Sequence, residues 1–200
     1  MSKLGDKFVN YEGSKIQYSI SGAENNGDWV VLLHGKRFTV DDWKNSGLLD
    51  KLADSGFKTI ALNLPGYGHS ETLKSDKSYA DFLAGFMRQL GINLFHLIGP
   101  SFSGEISIQF AIQYSSMLKT LIIIDSINVD KYEQMLPNIS TKTLIVWGKN
   151  DEIAYYQNAL TLQEKLLSST LYTFEGLGHT CYFDNMPTFS KVLLHHLDQH

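Results

Sequence analysis

The stretch LFHLIGPSFSGEISIQFAIQY, residues 94–114, holds a strand and a helix with only a tight turn between them. Its first six residues form a short apolar run of strand length, and from Phe102 to about Tyr114 the pattern reads as a helix. The turn is Gly99-Pro100-Ser101-Phe102-Ser103-Gly104, small residues crowded around one serine. Such a strand–turn–helix is one βα unit, and the same alternation extends in both directions. Toward the C-terminus, TLIII (120–124), TLIVW (143–147) and TLYTF (170–174) are strands. Helices follow the last two, on the spacing of Ile153, Tyr156, Leu160, Gln163 and Leu167 in one and Phe189, Leu193 and Leu197 in the other. Toward the N-terminus lie WVVLL (29–33), an apolar-periodic stretch over 41–55, KTIALN (58–63) and a helix over 79–90. The leading FVNYEGSKIQYSI reads as two strands around a turn at Gly13-Ser14.

Strands that are apolar throughout need burial on both faces, which a parallel sheet covered by helices provides. The expectation is a mostly parallel, eight-stranded α/β sheet with helices on both faces and an antiparallel N-terminal hairpin at one edge. A closed barrel of eight βα units is excluded by counting, since it takes about 250 residues and a helix after every strand.

Composition sets the outer bounds. The 200 residues carry 17 basic and 21 acidic side chains, a net charge of −4. That balance argues against a general nucleic-acid binder, which presents a basic surface. With Cys181 as the one cysteine, no disulfide framework is possible within the chain. No apolar run reaches the 18 or more residues of a membrane span, and the opening MSKLGDKFVNYEG lacks the apolar region of a secretory signal. The expectation is one domain over residues 1–200, cytoplasmic, with no membrane or nucleic-acid partner.

In an open α/β sheet, ligands gather at the carboxyl ends of the strands. Those ends carry His34-Gly35-Lys36-Arg37, then Pro65-Gly66-Tyr67-Gly68-His69-Ser70, then Ser101, Asp125, Gly148-Lys149-Asn150-Asp151 and Gly178-His179. Serine, aspartate and histidine therefore follow separate strands, in that chain order. A nucleophile on a sharp strand-to-helix turn needs small neighbours, and Gly99, Ser103 and Gly104 supply them. The helix behind Ser101 leaves first-turn N–H groups unpaired, so the Phe102 N–H can hold an oxyanion. A second donor is expected from the loop after the third strand, at the Lys36 N–H.

These residues, in this order, resemble the α/β-hydrolase superfamily, and the resemblance runs from the leading hairpin to the final helix. It rests on His34-Gly35, Pro65–Ser70, the elbow around Ser101, the G-x-x-D of Gly148–Asp151, and Gly178-His179. It implies Ser101 as nucleophile, His179 as general base and Asp151 as the group that orients the base. Two positions depart from the family pattern: Ser103 stands where G-x-S-x-G has its last glycine, and Asn63 where an aspartate is common.

Each residue also has a plainer reading. Ser101 and Asp151 could be helix caps, Ser103 is a rival nucleophile, and Asp125 is a rival acid at its own strand end. His34 is expected to serve loop hydrogen bonding. The histidines of the C-terminal helix, His195, His196 and His200, read as a solvated tail, not a metal site. Cys181, downstream of His179 on the same loop, is expected to pack. Gly66-Tyr67-Gly68 lacks the further glycine of a phosphate-binding loop and reads as a turn.

The expected chemistry is hydrolysis of an ester, thioester or amide of a small acyl substrate through an acyl-enzyme, with no metal or organic cofactor. A serine nucleophile disfavours the dehalogenase branch, whose nucleophile is a carboxylate. Only 17 residues, 126–142, separate Asp125 from the seventh strand. No substantial cap fits there, so the cleft is expected to be open. Its walls are expected to be Phe38, Trp43, Phe102, Ile127, Tyr182 and Phe183. The alternatives are a ligand-binding or partner-binding protein on the same fold with a nearly idle triad.

Overall fold

A computed structural model describes residues 5–199. Its sheet has eight strands: β1 (Lys7–Tyr11), β2 (Ser14–Ser21), β3 (Trp29–Leu32), β4 (Lys58–Leu62), β5 (Phe95–Pro100), β6 (Leu118–Ile124), β7 (Thr143–Gly148) and β8 (Ser169–Phe174). Their spatial order is β1-β2-β4-β3-β5-β6-β7-β8. From β4 through β8 in that order every pairing is parallel, and β2 runs antiparallel to both of its neighbours. The parallel strands therefore deliver the residues that follow them to one edge.

The hairpin turn falls on Glu12 and Gly13, one residue earlier than the sequence reading, with Tyr11 paired to Ser14. Both turn residues have positive φ, 49° and 83°. That is the two-residue turn whose twist matches flanking antiparallel strands, and the Asn10 carboxamide accepts the Gly13 N–H across it.

Seven helices cover the sheet among the described residues: α1 (Val40–Asn45), α2 (Leu48–Asp54), α3 (Tyr79–Gln89), α4 (Phe102–Tyr114), α5 (Gln157–Lys165), α6 (Cys181–Asp184) and α7 (Met186–Asp198). The apolar-periodic stretch over 41–55 folds as two helices. Thr39 opens α1 with a capping box to Asp42, and Gly47, at φ 74°, turns the chain before α2. For α5 the period is right but the phase is wrong. Ala159, Leu162 and Leu166 are buried, whereas Ile153, Leu160 and Leu167 are exposed. Apolar residues stand on two sides of that helix, and docking against β7 and β8 chooses between them.

Alternate strand residues sort onto the two faces. Val31, Leu33, Leu97, Leu121, Ile123, Ile145 and Trp147 pack with α3, α4 and α5. Val30, Leu32, Ile98, Ile122, Ile124, Leu144 and Val146 pack with α1, α2 and α7. Each such fully buried side chain is worth about 1.5–3 kcal/mol over leaving it in water. The two cores hold the carboxyl edge of the sheet rigid, which is what a multi-strand site requires.

The segment between β6 and β7 contains two 3₁₀ turns, Val129–Tyr132 and Leu136–Asn138, and no α-helix. No cap is evident. Val129, Leu136 and Ile139 are buried, and Glu105 on α4 accepts hydrogen bonds from Asn128, Lys131 and Tyr132. The segment is fastened to the body of the molecule. No helix among the described residues is long and apolar enough to cross a membrane.

Candidate active site

Ser101 leaves β5 at φ 53° and ψ −114°, a left-handed conformation that costs a non-glycine residue energy and is found at strained functional turns. Close packing holds it there. A Cβ on Gly99 would stand 2.3 Å from the Ser103 carbonyl oxygen, and one on Gly104 would stand 2.5 Å from the Ser126 Cβ. The displaced glycine of the elbow is thus used, for contact with the β6 loop. Ser103, buried, donates its hydroxyl to the His34 carbonyl. It ties the elbow to the loop after β3.

His34 sits between two loops. Its Nε2 accepts the Leu64 N–H at 3.0 Å, which leaves Nδ1 to donate to the Gly35 carbonyl at 2.9 Å. Burial holds its basicity below the ordinary imidazole range, so it stays neutral and structural. Asn63 has a comparable role. Its Oδ1 accepts the Val40 N–H and its Nδ2 donates to Gln17. The Pro65–Ser70 stretch closes over this pair, with the Ser70 hydroxyl donated to the Asn63 carbonyl.

His179 Nε2 lies 2.8 Å from Ser101 Oγ, and His179 Nδ1 lies 2.7 Å from Asp151 Oδ2. The Asp151 oxygens divide the work. Oδ1 accepts the N–H groups of Ile153 and Ala154 at 2.8 and 2.9 Å, capping the turn ahead of α5, and Oδ2 faces His179. One carboxylate thus both caps a turn and faces the imidazole. The carboxylate fixes the imidazole with hydrogen on Nδ1, so Nε2 is free to accept the serine proton.

Gly148 makes that approach possible. A Cβ there would lie 2.2 Å from the Gly178 carbonyl oxygen and 2.7 Å from that of Leu177. The Asn150 N–H donates to Leu177 and the Lys149 N–H to Phe174, lacing the loop after β7 to the loop after β8. The sequence shows Gly148 and Gly178 only as parts of two separate motifs. Their direct contact appears only in the fold.

Asp125 ends β6 at φ 43°, fully buried. Its Oδ1 accepts the Gly148 N–H at 2.9 Å and its Oδ2 the Cys181 thiol at 3.2 Å. Burial, with the Asp151 charge nearby, pushes the Asp125 carboxyl well above the ordinary carboxylate range. Burial and the Asp125 carboxyl likewise push the Cys181 thiol up. It remains a buried S–H donor, far from thiolate chemistry. Asp125, Asp151 and His179 bring donor atoms within 4.8 Å of one another. His179, however, faces Ser101 and Asp151 with its two nitrogens, a proton-transfer arrangement and not a metal cage. His195 and His196 join no such cluster among the described residues, and His200 lies outside them.

The expected walls divide. Phe38 comes close to Ser101, since a Cβ on Gly35 would touch both the Phe38 ring and Ser101. Phe183 meets the Phe38 ring at a tilt of 53° with centroids 5.2 Å apart, and Ile127 donates its N–H to the Ser101 carbonyl. Phe102, half-buried, meets Tyr79 and Tyr67. Trp43 and Tyr182 do not fit the expectation. They are 1% and 2% exposed, with the Trp43 indole N–H donated to the Leu33 carbonyl. Both pack beneath Phe183 and offer a ligand no surface. Tyr67, read in the sequence only as part of a turn, makes tilted ring contacts with His34 and Phe102 beside the elbow. Lys36 is exposed on the turn after β3, and its N–H has no protein acceptor among the described residues.

Comparisons with known proteins agree with this architecture. The chain is 36% identical over 174 residues to the protein ABHD14A of Danio rerio, covering 85% of this chain and 64% of that protein. It is 30% identical to ABHD14B of Rattus norvegicus, named as a candidate protein-lysine deacylase, over 85% of this chain and 83% of that protein. The chain thus spans less than two thirds of the first relative's length. A crystal structure of a predicted CIB-like hydrolase from Thermoplasma acidophilum superposes with a TM-score of 0.92 at 23% identity, covering 98% of this chain and 99% of that one. At that identity the likeness concerns the fold. The family model for the alpha/beta hydrolase fold matches residues 28–136, from the start of the parallel sheet into the segment after β6, and the chain belongs to that family.

Proposed function

We propose that this chain is a serine hydrolase that cleaves an acyl group from an ester, thioester or amide through an acyl-enzyme. The observation that carries this reading is the continuous chain Asp151–His179–Ser101, with contacts of 2.7 and 2.8 Å, built on a strained elbow. A serine hydroxyl is a weak nucleophile until a base takes its proton. His179 Nε2 accepts that proton as Ser101 attacks, and then gives it to the leaving group. Asp151 holds the ring and stabilises the imidazolium as it forms. The N–H groups of Phe102 and Lys36 receive the tetrahedral oxyanion, a contribution of about 3–4 kcal/mol per donor in comparable sites. Hydrolysis as the general activity accords with the family. The name of the rat relative brings acyl-lysine amides into the substrate range, and a site without a cap leaves room for an acyl group carried on a larger body.

The test is labelling with a fluorophosphonate probe at neutral pH, followed by turnover of short-chain nitrophenyl esters and of acyl-lysine peptides in parallel. Wild type should label and Ser101→Ala should not, with turnover lower by a factor on the order of 10³ or more. A wild-type protein that does not label, yet binds a ligand saturably, would replace the hydrolase reading with the binding-protein one.

A further inference from the structure

Two carboxyl groups are buried side by side in this site, but only one imidazole accompanies them. Asp125 and Asp151 come from the ends of adjacent strands, and their oxygens lie within 4.8 Å of each other and of a His179 nitrogen. Their surroundings differ. Asp151 receives two backbone N–H groups and the imidazole N–H. Asp125 receives one backbone N–H, from Gly148, and one weak S–H donor, from Cys181. Two carboxyl groups buried this close, with the imidazole facing Asp151 and not Asp125, favour a state in which one of them keeps its proton. Asp125, which meets the fewer and weaker donors, is the one that keeps its proton. That proton needs an acceptor, and the Asp151 carboxylate is the nearest anionic group.

We infer that Asp125 is a positioning residue: it is held as a neutral carboxylic acid, donates a hydrogen bond to the Asp151 carboxylate, and thereby sets how strongly Asp151 holds the His179 imidazolium. The hydrogen-bonded series is then Cys181–Asp125–Asp151–His179–Ser101. Asp125 touches no reacting atom, and its influence passes through Asp151. The titratable groups facing it are Asp151 from the loop after β7, and His179, Cys181 and Tyr182 from the segment after β8. No lysine or arginine side chain is among them. Burial acting on Asp125 favours the same neutral form. The inference rests on the triad reading above.

Asp125→Asn mimics the neutral acid, because its amide can donate to Asp151 while its oxygen accepts from Gly148. Asp125→Ala removes the donor. Two measurements on the intact protein decide the matter. The first is the infrared difference spectrum of wild type against Asp125→Asn near pH 7. Wild type should show the carbonyl stretch of an un-ionised buried carboxyl group that the variant lacks, and absence of that band overturns the proposal. The second is the pH dependence of Ser101 phosphonylation by the fluorophosphonate probe. The acidic-limb midpoint should stay in place in Asp125→Asn and rise by about half a pH unit in Asp125→Ala, where Asp151 is left a stronger partner for the imidazolium. A lower midpoint in Asp125→Asn would mean that a negative charge had been removed, and would overturn the neutral assignment. Slower labelling of Asp125→Ala with an unmoved midpoint would reduce Asp125 to a structural role. Should Asp125→Ala fail to fold, the infrared band and the Asp125→Asn midpoint still decide. Failure of the triad reading is distinct: wild type would then not label at all, whatever the infrared band shows.

Discussion

The ends of β6 and β7 are close to equivalent in sequence and unlike in structure. Each is an apolar strand delivering an aspartate to the same sheet edge, one directly and the other after Gly148-Lys149-Asn150. The β7 loop turns back, so that Asp151 meets two N–H groups of its own turn and the imidazole of His179. The β6 end places Asp125 under the site, against a glycine N–H and a thiol. Role therefore follows from the donors a carboxyl group meets, and the strand it follows does not decide it.

The largest effect that can break this comparison is Asp151→Asn. It leaves the shape intact but disturbs the imidazole tautomer, and kcat should fall by a factor of about 10³–10⁴. If Asp125→Asn did this while Asp151→Asn left ester hydrolysis intact, the triad acid would belong to the β6 end. A smaller effect is expected in stability against pH. Asp125 is raised in the fold, so its contribution to stability is complete below the ordinary carboxylate range near 3.8 and is lost as pH rises toward its folded value. Over that window the stability advantage of Asp125→Asn over wild type should grow by about 1.4 kcal/mol per pH unit. Urea unfolding curves at several pH values above about 4 measure it, and a difference that does not change with pH would place Asp125 on the same footing as an exposed aspartate. The smallest effect is Cys181→Ala, which removes a weak donor from Asp125 alone. About 1 kcal/mol of stability should be lost. A drop in turnover on the scale of Asp151→Asn would show that the thiol takes part in the reaction.

Much of this was legible before any coordinates. The strand and helix alternation, the antiparallel hairpin and the short β6–β7 segment follow from local period, and the expectation of Ser101, Asp151 and His179 as a triad follows from the resemblance of the motifs placed after each strand. What escaped has a shared physical cause: it depends on contacts between segments distant in sequence. The phase of α5 is set by docking, so Leu160 and Leu167 point outward despite their spacing. Trp43 and Tyr182 were legible as aromatics near the site, but not as buried supports under Phe183. Ser103 looked like a flaw in the elbow, because its partner, the His34 carbonyl, lies 69 positions away. Gly47, by contrast, was a local signal: a glycine inside an apolar-periodic stretch marks a break.

The hydrogen bond between Ser101 and His179 joins residues 78 positions apart, and that between His179 and Asp151 joins residues 28 apart. Neither can form while the chain is only locally ordered. Parallel pairing is closed by loops whose entropy cost precedes any reward, so such sheets assemble late and slowly. His179 comes after β8, an edge strand, and so meets Ser101 only once that strand has docked on β7. On the proposed function a reactive serine is thereby withheld from partly folded chains, and the first appearance of labelling during refolding is a clock for the closing of that edge of the sheet.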